Sequence, residues 1–72
     1  MQTQSQMQVK THVLDAGGNG YPVVITRNSR NIRVFEGNRR TKSFKSTLVN
    51  ETEARKLFTQ FWFASYADEF LN

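Results

Sequence analysis

The feature that most constrains the fold is a change in the spacing of apolar residues at Asn50. Before this residue apolar and polar positions tend to alternate, and after it the apolar positions recur with helical spacing. Asn50 can cap a helix, and the Glu53 side chain can reach back to the cap amide as in a capping box. The residues that follow the i, i+3, i+4, i+7, i+8 spacing of one buried helix face are Ala54, Leu57, Phe58, Phe61 and Trp62. The sequence therefore predicts a C-terminal amphipathic helix, with Trp62 in the core.

A second aromatic group follows the first one and consists of Phe63, Tyr66 and Phe70. If the helix continues unbroken to Leu71 at about 100° per residue, this group lies roughly a quarter-turn away from the first. Either a bend near residues 64–65 lets both groups serve one core, or the second group is a surface for self-association or for a partner. The second interpretation allows a homodimer, and the sequence leaves both open.

The part of the chain before Asn50 has the pattern of β-strands. Apolar and polar residues alternate from Met7 to Leu14, which predicts a half-buried strand. The glycines of residues 17–20 can then turn the chain, and the β-branched stretch YPVVITR is typical of a second strand. A basic hairpin follows at residues 32–45. The predicted fold class is α+β: an antiparallel three- to four-stranded meander sheet, packed on one face by the C-terminal amphipathic helix.

Length and composition indicate a single small domain. A chain of 72 residues is expected to bury only about 60% of its unfolded surface. We expect residues 1–6, which are polar and rich in Gln, to form a disordered tail, and residues 7–72 to form one α+β domain. No apolar run approaches the roughly 18 residues of a membrane span, and the start of the chain lacks the features of a secretory signal. These features predict a cytoplasmic protein of a bacterial or infected host cell, not a secreted or membrane protein.

The inventory of reactive side chains argues against an enzyme. The chain has no Cys, and His12 is its only His, which rules out a Cys–His pair and a multi-histidine metal site. We expect His12 to be an ordinary strand residue. The glycines of residues 17–20 precede a strand, whereas a phosphate-binding loop precedes a helix. We therefore expect no catalysis, no cofactor and no metal.

Charge is distributed unevenly along the chain. Residues 1–46 carry eight Lys or Arg against two acidic residues, and residues 47–72 carry two against four, within a net charge of +4. This asymmetry predicts an anionic partner for the first part of the chain, either nucleic acid or an acidic protein surface.

The register of the hairpin decides whether its cations share one face. In the preferred register, Gly37–Asn38 closes a two-residue turn, and Arg33, Phe35, Arg40 and Lys42 share the face away from the helix. Arg33 then lies opposite Lys42, a destabilising pair of like charges that a bound phosphate would relieve. Phe44 lies on the same face or is tucked in by a bulge.

The alternative is a three-residue loop at residues 37–39. It pairs Ile32 with Phe44, but it turns Arg40 and Lys42 toward the core side, because a slip of one residue flips every side chain of a strand. We prefer the two-residue turn because it avoids facing two cations inward.

A face that combines cations with aromatic rings suits nucleic acid, since cations hold phosphates and aromatic rings stack on bases. We predict a small non-enzymatic nucleic-acid-binding module, with DNA favoured over RNA. The predicted contact residues are Arg30, Arg33, Phe35, Arg39, Arg40 and Lys42. The alternative is a protein-interaction module of the phage or mobile-element type, an inhibitor or adaptor that docks on an acidic protein surface.

The stretches NIRVFEGNRRTKSFKS and NETEARKLFTQF, at residues 31–46 and 50–61, carry a family resemblance. They resemble the arm-binding, AP2-like DNA-binding domains at the N-termini of phage-type tyrosine recombinases. The resemblance implies a three-stranded sheet laid in the DNA major groove with a helix packed behind it. Residue by residue, it implies that Arg33, Phe35, Arg39, Arg40 and Lys42 lie near DNA. The chain departs from the family in its extra N-terminal strand, and we expect no recombinase activity because it has no catalytic domain.

Overall fold

A four-stranded antiparallel sheet and two short helices make up the fold. The computed structural model describes residues 9–72, so the expected tail at residues 1–6 and the predicted strand start at Met7 lie outside the described residues. The strands are β1 (Lys10–Asp15), β2 (Val23–Arg27), β3 (Ile32–Asn38) and β4 (Ser43–Val49), and they neighbour one another in chain order. Helix α1 (Glu51–Gln60), a 3₁₀ turn (Ala64–Tyr66) and helix α2 (Ala67–Leu71) follow. The predicted α+β meander with a helical layer on one face is confirmed.

Glycines shape the connection between β1 and β2, as the sequence predicts. Gly17 and Gly20 have φ of 90° and 93°, a conformation that side chains with a Cβ disfavour. The Gly20 N–H donates to the Gly17 carbonyl over 2.9 Å, which closes the turn. A bulge between Val13 and Asp15 lies just before this turn.

The core lies between one face of the sheet and the helical layer. Its buried apolar side chains are Leu14, Val23, Ile25, Ile32, Val34, Ala54, Phe58, Ala67, Phe70 and Leu71. Ile25 and Phe58 are fully buried, and each such side chain contributes about 1.5–3 kcal/mol relative to an exposed one. From β4 only Val49 packs against this core, and the rest of β4 is exposed.

Helix α1 begins where the sequence predicts. The Asn50 side chain accepts a 2.8 Å hydrogen bond from the Glu53 N–H, which is the first half of the capping box. The Glu53 carboxylate lies 3.8 Å from the Lys56 ammonium group.

Helix α1 ends at Gln60, and the chain reverses there. The Phe63 N–H donates to the Phe58 carbonyl (2.7 Å) and the Trp62 N–H to the Thr59 carbonyl (3.1 Å), which is the hydrogen-bond pattern of a Schellman motif. The reversal returns Phe63 and Phe70 to the same core. The bend interpretation of the second aromatic group is therefore correct, with the break at residues 61–63, and Tyr66 is the one member that stays 52% exposed.

The prediction that Trp62 lies in the core is wrong. Its side chain is 91% exposed. The helical spacing that included it stops applying at Gln60, where α1 ends, and Trp62 has φ of 69°, outside the helical region. This left-handed position of a Schellman motif usually holds Gly or Asn, so a Trp there is under backbone strain.

Lys10 joins the first strand to the end of the chain's last helix. Its ammonium group donates to the carbonyls of Glu69 (2.8 Å) and Asn72 (3.1 Å). Those carbonyls lie at the C-terminal end of α2, where positive charge is favourable.

We expect Trp62→Gly to be more stable than Trp62→Ala by about 1 kcal/mol, because Ala keeps the Cβ that disfavours the left-handed conformation. Both variants remove the same indole, so their difference isolates the backbone term. Urea denaturation followed by far-UV circular dichroism measures it without the single Trp of the chain as probe. Equal free energies of unfolding would contradict the strained turn.

Candidate nucleic-acid interface

The β3–β4 hairpin has a four-residue loop, residues 39–42, and both predicted registers are wrong. Ile32 lies opposite Val49, and Asn38 lies opposite Ser43, so Gly37 and Asn38 end β3. The Asn38 side chain accepts from the N–H groups of Arg40 (3.0 Å) and Thr41 (3.3 Å). This side-chain turn closes the longer loop, which the Gly-Asn hairpin signal does not anticipate.

The observed register removes the predicted conflict between like charges. Arg33 lies opposite Leu48, and Glu36 lies opposite Lys45. Opposite charges on facing strand positions are favourable. The hairpin therefore contains no repulsion between Arg33 and Lys42 that a bound anion would have to relieve. Support for a binding role has to come from the exposed surface of the hairpin.

The sheet face away from the helices, which we call the open face, carries apolar, polar and one cationic side chain. Its members follow from strand alternation and pairing: Thr11, Val13, Val24, Thr26, Arg33, Phe35, Phe44, Ser46 and Leu48. Arg33 and Phe35 lie here as predicted, and Arg33 donates to the Ser46 hydroxyl over 3.1 Å. The Phe44 side chain is 77% exposed, far more than is usual for an aromatic residue in a small domain.

Three of the predicted contact residues lie in the loop that we call the basic loop, Arg39–Lys42. The prediction that Arg40 and Lys42 share the open face is wrong, because neither belongs to a strand. The Arg39 N–H donates to the Gly20 carbonyl (3.0 Å) and its guanidinium to the Ala16 carbonyl (3.3 Å), which fixes the loop against the β1–β2 connection. Lys42 has φ of 57°, a second strained position outside glycine.

Arg30 is not brought together with the other predicted residues. It lies in the turn between β2 and β3, which the Asn28 side chain closes by accepting from the Arg30 N–H. The seven residues of β3 separate this turn from the basic loop, which amounts to about 20 Å at the rise of a strand.

Ion pairs gather on the helical side of the molecule. Within residues 9–72, the side chains within 4.0 Å of an opposite charge are Arg27 with Glu51, Arg55 with Asp68, and Lys56 with Glu53. In that part of the chain, Arg33 and the cations of the basic loop pair with no carboxylate. Their charge is therefore directed to solvent, while the cations of the helical layer are partly neutralised.

A small hollow lies where the open face meets the basic loop. It has a volume of about 300 Å³ and is lined by Pro22, Gly37, Asn38, Arg39, Lys42, Ser43 and Phe44. Sequence reasoning missed Pro22 and Gly37 as site residues. A lone Gly inside a strand often marks a close approach of another group, so Gly37 does carry a signal.

His12 lies inside an aromatic cluster. Its ring centroid is 4.6 Å from that of Phe63, 5.0 Å from Phe58 and 5.4 Å from Tyr66. Its buried Nε2 atom has no hydrogen-bond partner within the described chain. Residues 9–72 contain no group of three His, Cys, Asp or Glu side chains arranged to hold a metal ion. No helix in the same range has the length and apolar character needed to cross a membrane.

No family model, curated protein or solved structure matches this chain at a significant level. The similarity to recombinase arm-binding domains therefore stays a prediction from the sequence.

We expect Asn38→Gly to destabilise the protein by about 1 kcal/mol, because Gly cannot accept the two N–H groups of the basic loop. Asn38→Asp keeps the acceptor oxygen and is expected to reduce stability less. A two-residue turn would predict the reverse order, since Gly favours the positive φ of that turn. Urea midpoints of the two variants decide between the registers.

Proposed function

We propose that this protein is a small non-enzymatic nucleic-acid-binding module that uses its open face and its basic loop. The observation that carries the proposal is the exposed Phe44 ring, which lies beside cations that no carboxylate of residues 9–72 neutralises. An aromatic ring offers a stacking surface, and the cations offer phosphate contacts.

Charge separation supports the same proposal. Arg33 lies on the open face and the basic loop lies at the end of the hairpin, whereas the four carboxylates of residues 47–72 lie on the helical layer. Such a distribution orients an approaching polyanion toward the hairpin and away from the helices. Between DNA and RNA, the similarity to recombinase arm-binding domains favours DNA.

A second candidate function, interaction with a protein partner, is favoured by Trp62. Trp is enriched among the residues that carry most of the energy of protein interfaces. Trp62 is almost fully exposed and held at a strained position, in the segment that follows α1 and not on the hairpin. A protein partner would therefore contact the segment after α1, whereas a nucleic acid would contact the hairpin.

We expect a labelled oligonucleotide to bind at low salt, and its affinity to fall as salt rises. The double variant Arg40→Gln with Lys42→Gln should weaken binding, because fewer phosphates are then neutralised by the protein. The slope of log affinity against log salt should become shallower by roughly 0.7 to 0.9 for each of those phosphates. Fluorescence anisotropy at several salt concentrations measures both effects.

The matched control is Arg55→Gln with Lys56→Gln, which removes the same charge from the helical layer. It should leave the salt slope unchanged, because the parent residues pair with Asp68 and Glu53. Absence of binding at low salt, or equal effects of the two double variants, would refute the proposed function.

A further inference from the structure

The hollow beside Phe44 has apolar walls, and the Pro22 and Phe44 rings close over the buried Gly37 beneath it. A Cβ placed on Gly37 would lie 2.9 Å from Pro22 Cγ and 3.4 Å from Phe44 Cε1. The Pro22 and Phe44 rings therefore lie close above a buried backbone position that has no side chain. A Cβ at position 37 would overlap Pro22, so the space open to a ligand lies outside these rings, beside the exposed part of Phe44.

The rim of the hollow is cationic and polar. Arg39 and Lys42 lie on it, together with Asn38 and Ser43. An Arg side chain has five N–H donors, and the contact to the Ala16 carbonyl uses one of them. Donors therefore remain for an anion at the mouth of the hollow.

An apolar hollow with a cationic rim has the chemistry of a nucleotide-binding site. A base is a flat ring system that stacks on an aromatic side chain, and its phosphate carries the charge that Arg and Lys hold. A volume of about 300 Å³ is at the small end of ligand sites. It suits one ring system and not a folded segment of protein.

Duplex nucleic acid cannot use this hollow in the same way. In a duplex each base stacks on its neighbours, and the grooves present only base edges to a protein. The Phe44 side chain is 77% exposed, so its ring has area free to stack on the face of an unpaired base. Leu48 lies on the same face of β4, about 13 Å from Phe44 at the rise of a strand, and is apolar and more than half exposed, so a second base of a single strand can contact it.

We infer that an unpaired base stacks on the exposed Phe44 ring at the hollow lined by Pro22, Gly37 and Phe44, with Arg39 and Lys42 on the adjacent phosphates, so that the ligand is single-stranded nucleic acid. This inference rests on the proposed function and replaces the major-groove contact implied by the family resemblance.

Anisotropy titrations of a labelled single strand of about 16 nucleotides, and of the duplex formed with its complement, test the inference. We expect the single strand to bind at least about tenfold more tightly. Phe44→Leu, which keeps an apolar residue but removes the ring, should weaken single-strand binding about fivefold or more. Circular dichroism reports whether each variant is folded.

Trp62→Leu is the matched control, because it removes an exposed aromatic ring outside the hairpin. It should leave single-strand affinity unchanged. A duplex that binds as tightly as the single strand, a folded Phe44→Leu variant that binds normally, or equal losses of affinity in the Phe44 and Trp62 variants would overturn the inference but leave the proposed function standing. Binding of neither nucleic acid at low salt would overturn both.

Discussion

A chain of this size can cover only one face of a four-stranded sheet, and the other features of the molecule depend on this limit. The ten buried apolar side chains of residues 9–72 lie in a single layer between the sheet and two short helices. Small domains have no apolar residues to spare for a second layer. Apolar side chains on the opposite face, such as Val13, Phe44 and Leu48, therefore remain in contact with solvent. An exposed apolar face of this kind is a common mark of a binding surface.

Local signals predict the elements of the fold, and long-range geometry decides the details. The Asn50 cap and the alternation of Ile32 and Val34 each depend on a few neighbouring residues, and the structure agrees with both. The exposure of Trp62 and the register of the hairpin each depend on two local sequence signals that conflict. The helical spacing that includes Trp62 continues past Gln60, but a Schellman motif ends the helix there without the glycine that usually marks such an end. Likewise, Gly37–Asn38 has the composition of a turn, but the Asn38 side chain stabilises the longer loop that follows it.

The same division applies to the candidate interface. Arg33 and Phe35 are assigned to the open face correctly from the sequence because they alternate with the buried Ile32 and Val34, whatever the partner strand does. Residues of the loop cannot be assigned in this way, because their direction depends on loop length. The hollow cannot be predicted from the sequence, because Pro22 precedes β2 while Gly37 and Phe44 belong to β3 and β4. Predicting a site that is assembled from three parts of a chain requires the strand register, which the sequence leaves open.

The two strained residues separate the two candidate surfaces. Within residues 9–72, the residues other than glycine with positive φ are Lys42 and Trp62. Each such conformation costs about 1–2 kcal/mol, and strain of this kind tends to persist where a side chain is needed for function. Lys42 lies on the rim of the hollow, so its strain supports a role for the hairpin in binding an anion. Trp62 follows α1 and belongs to neither the open face nor the basic loop. The backbone strain at Trp62 is not explained by binding of nucleic acid to the hairpin. This strain is the strongest physical reason to consider a protein partner on the helical side.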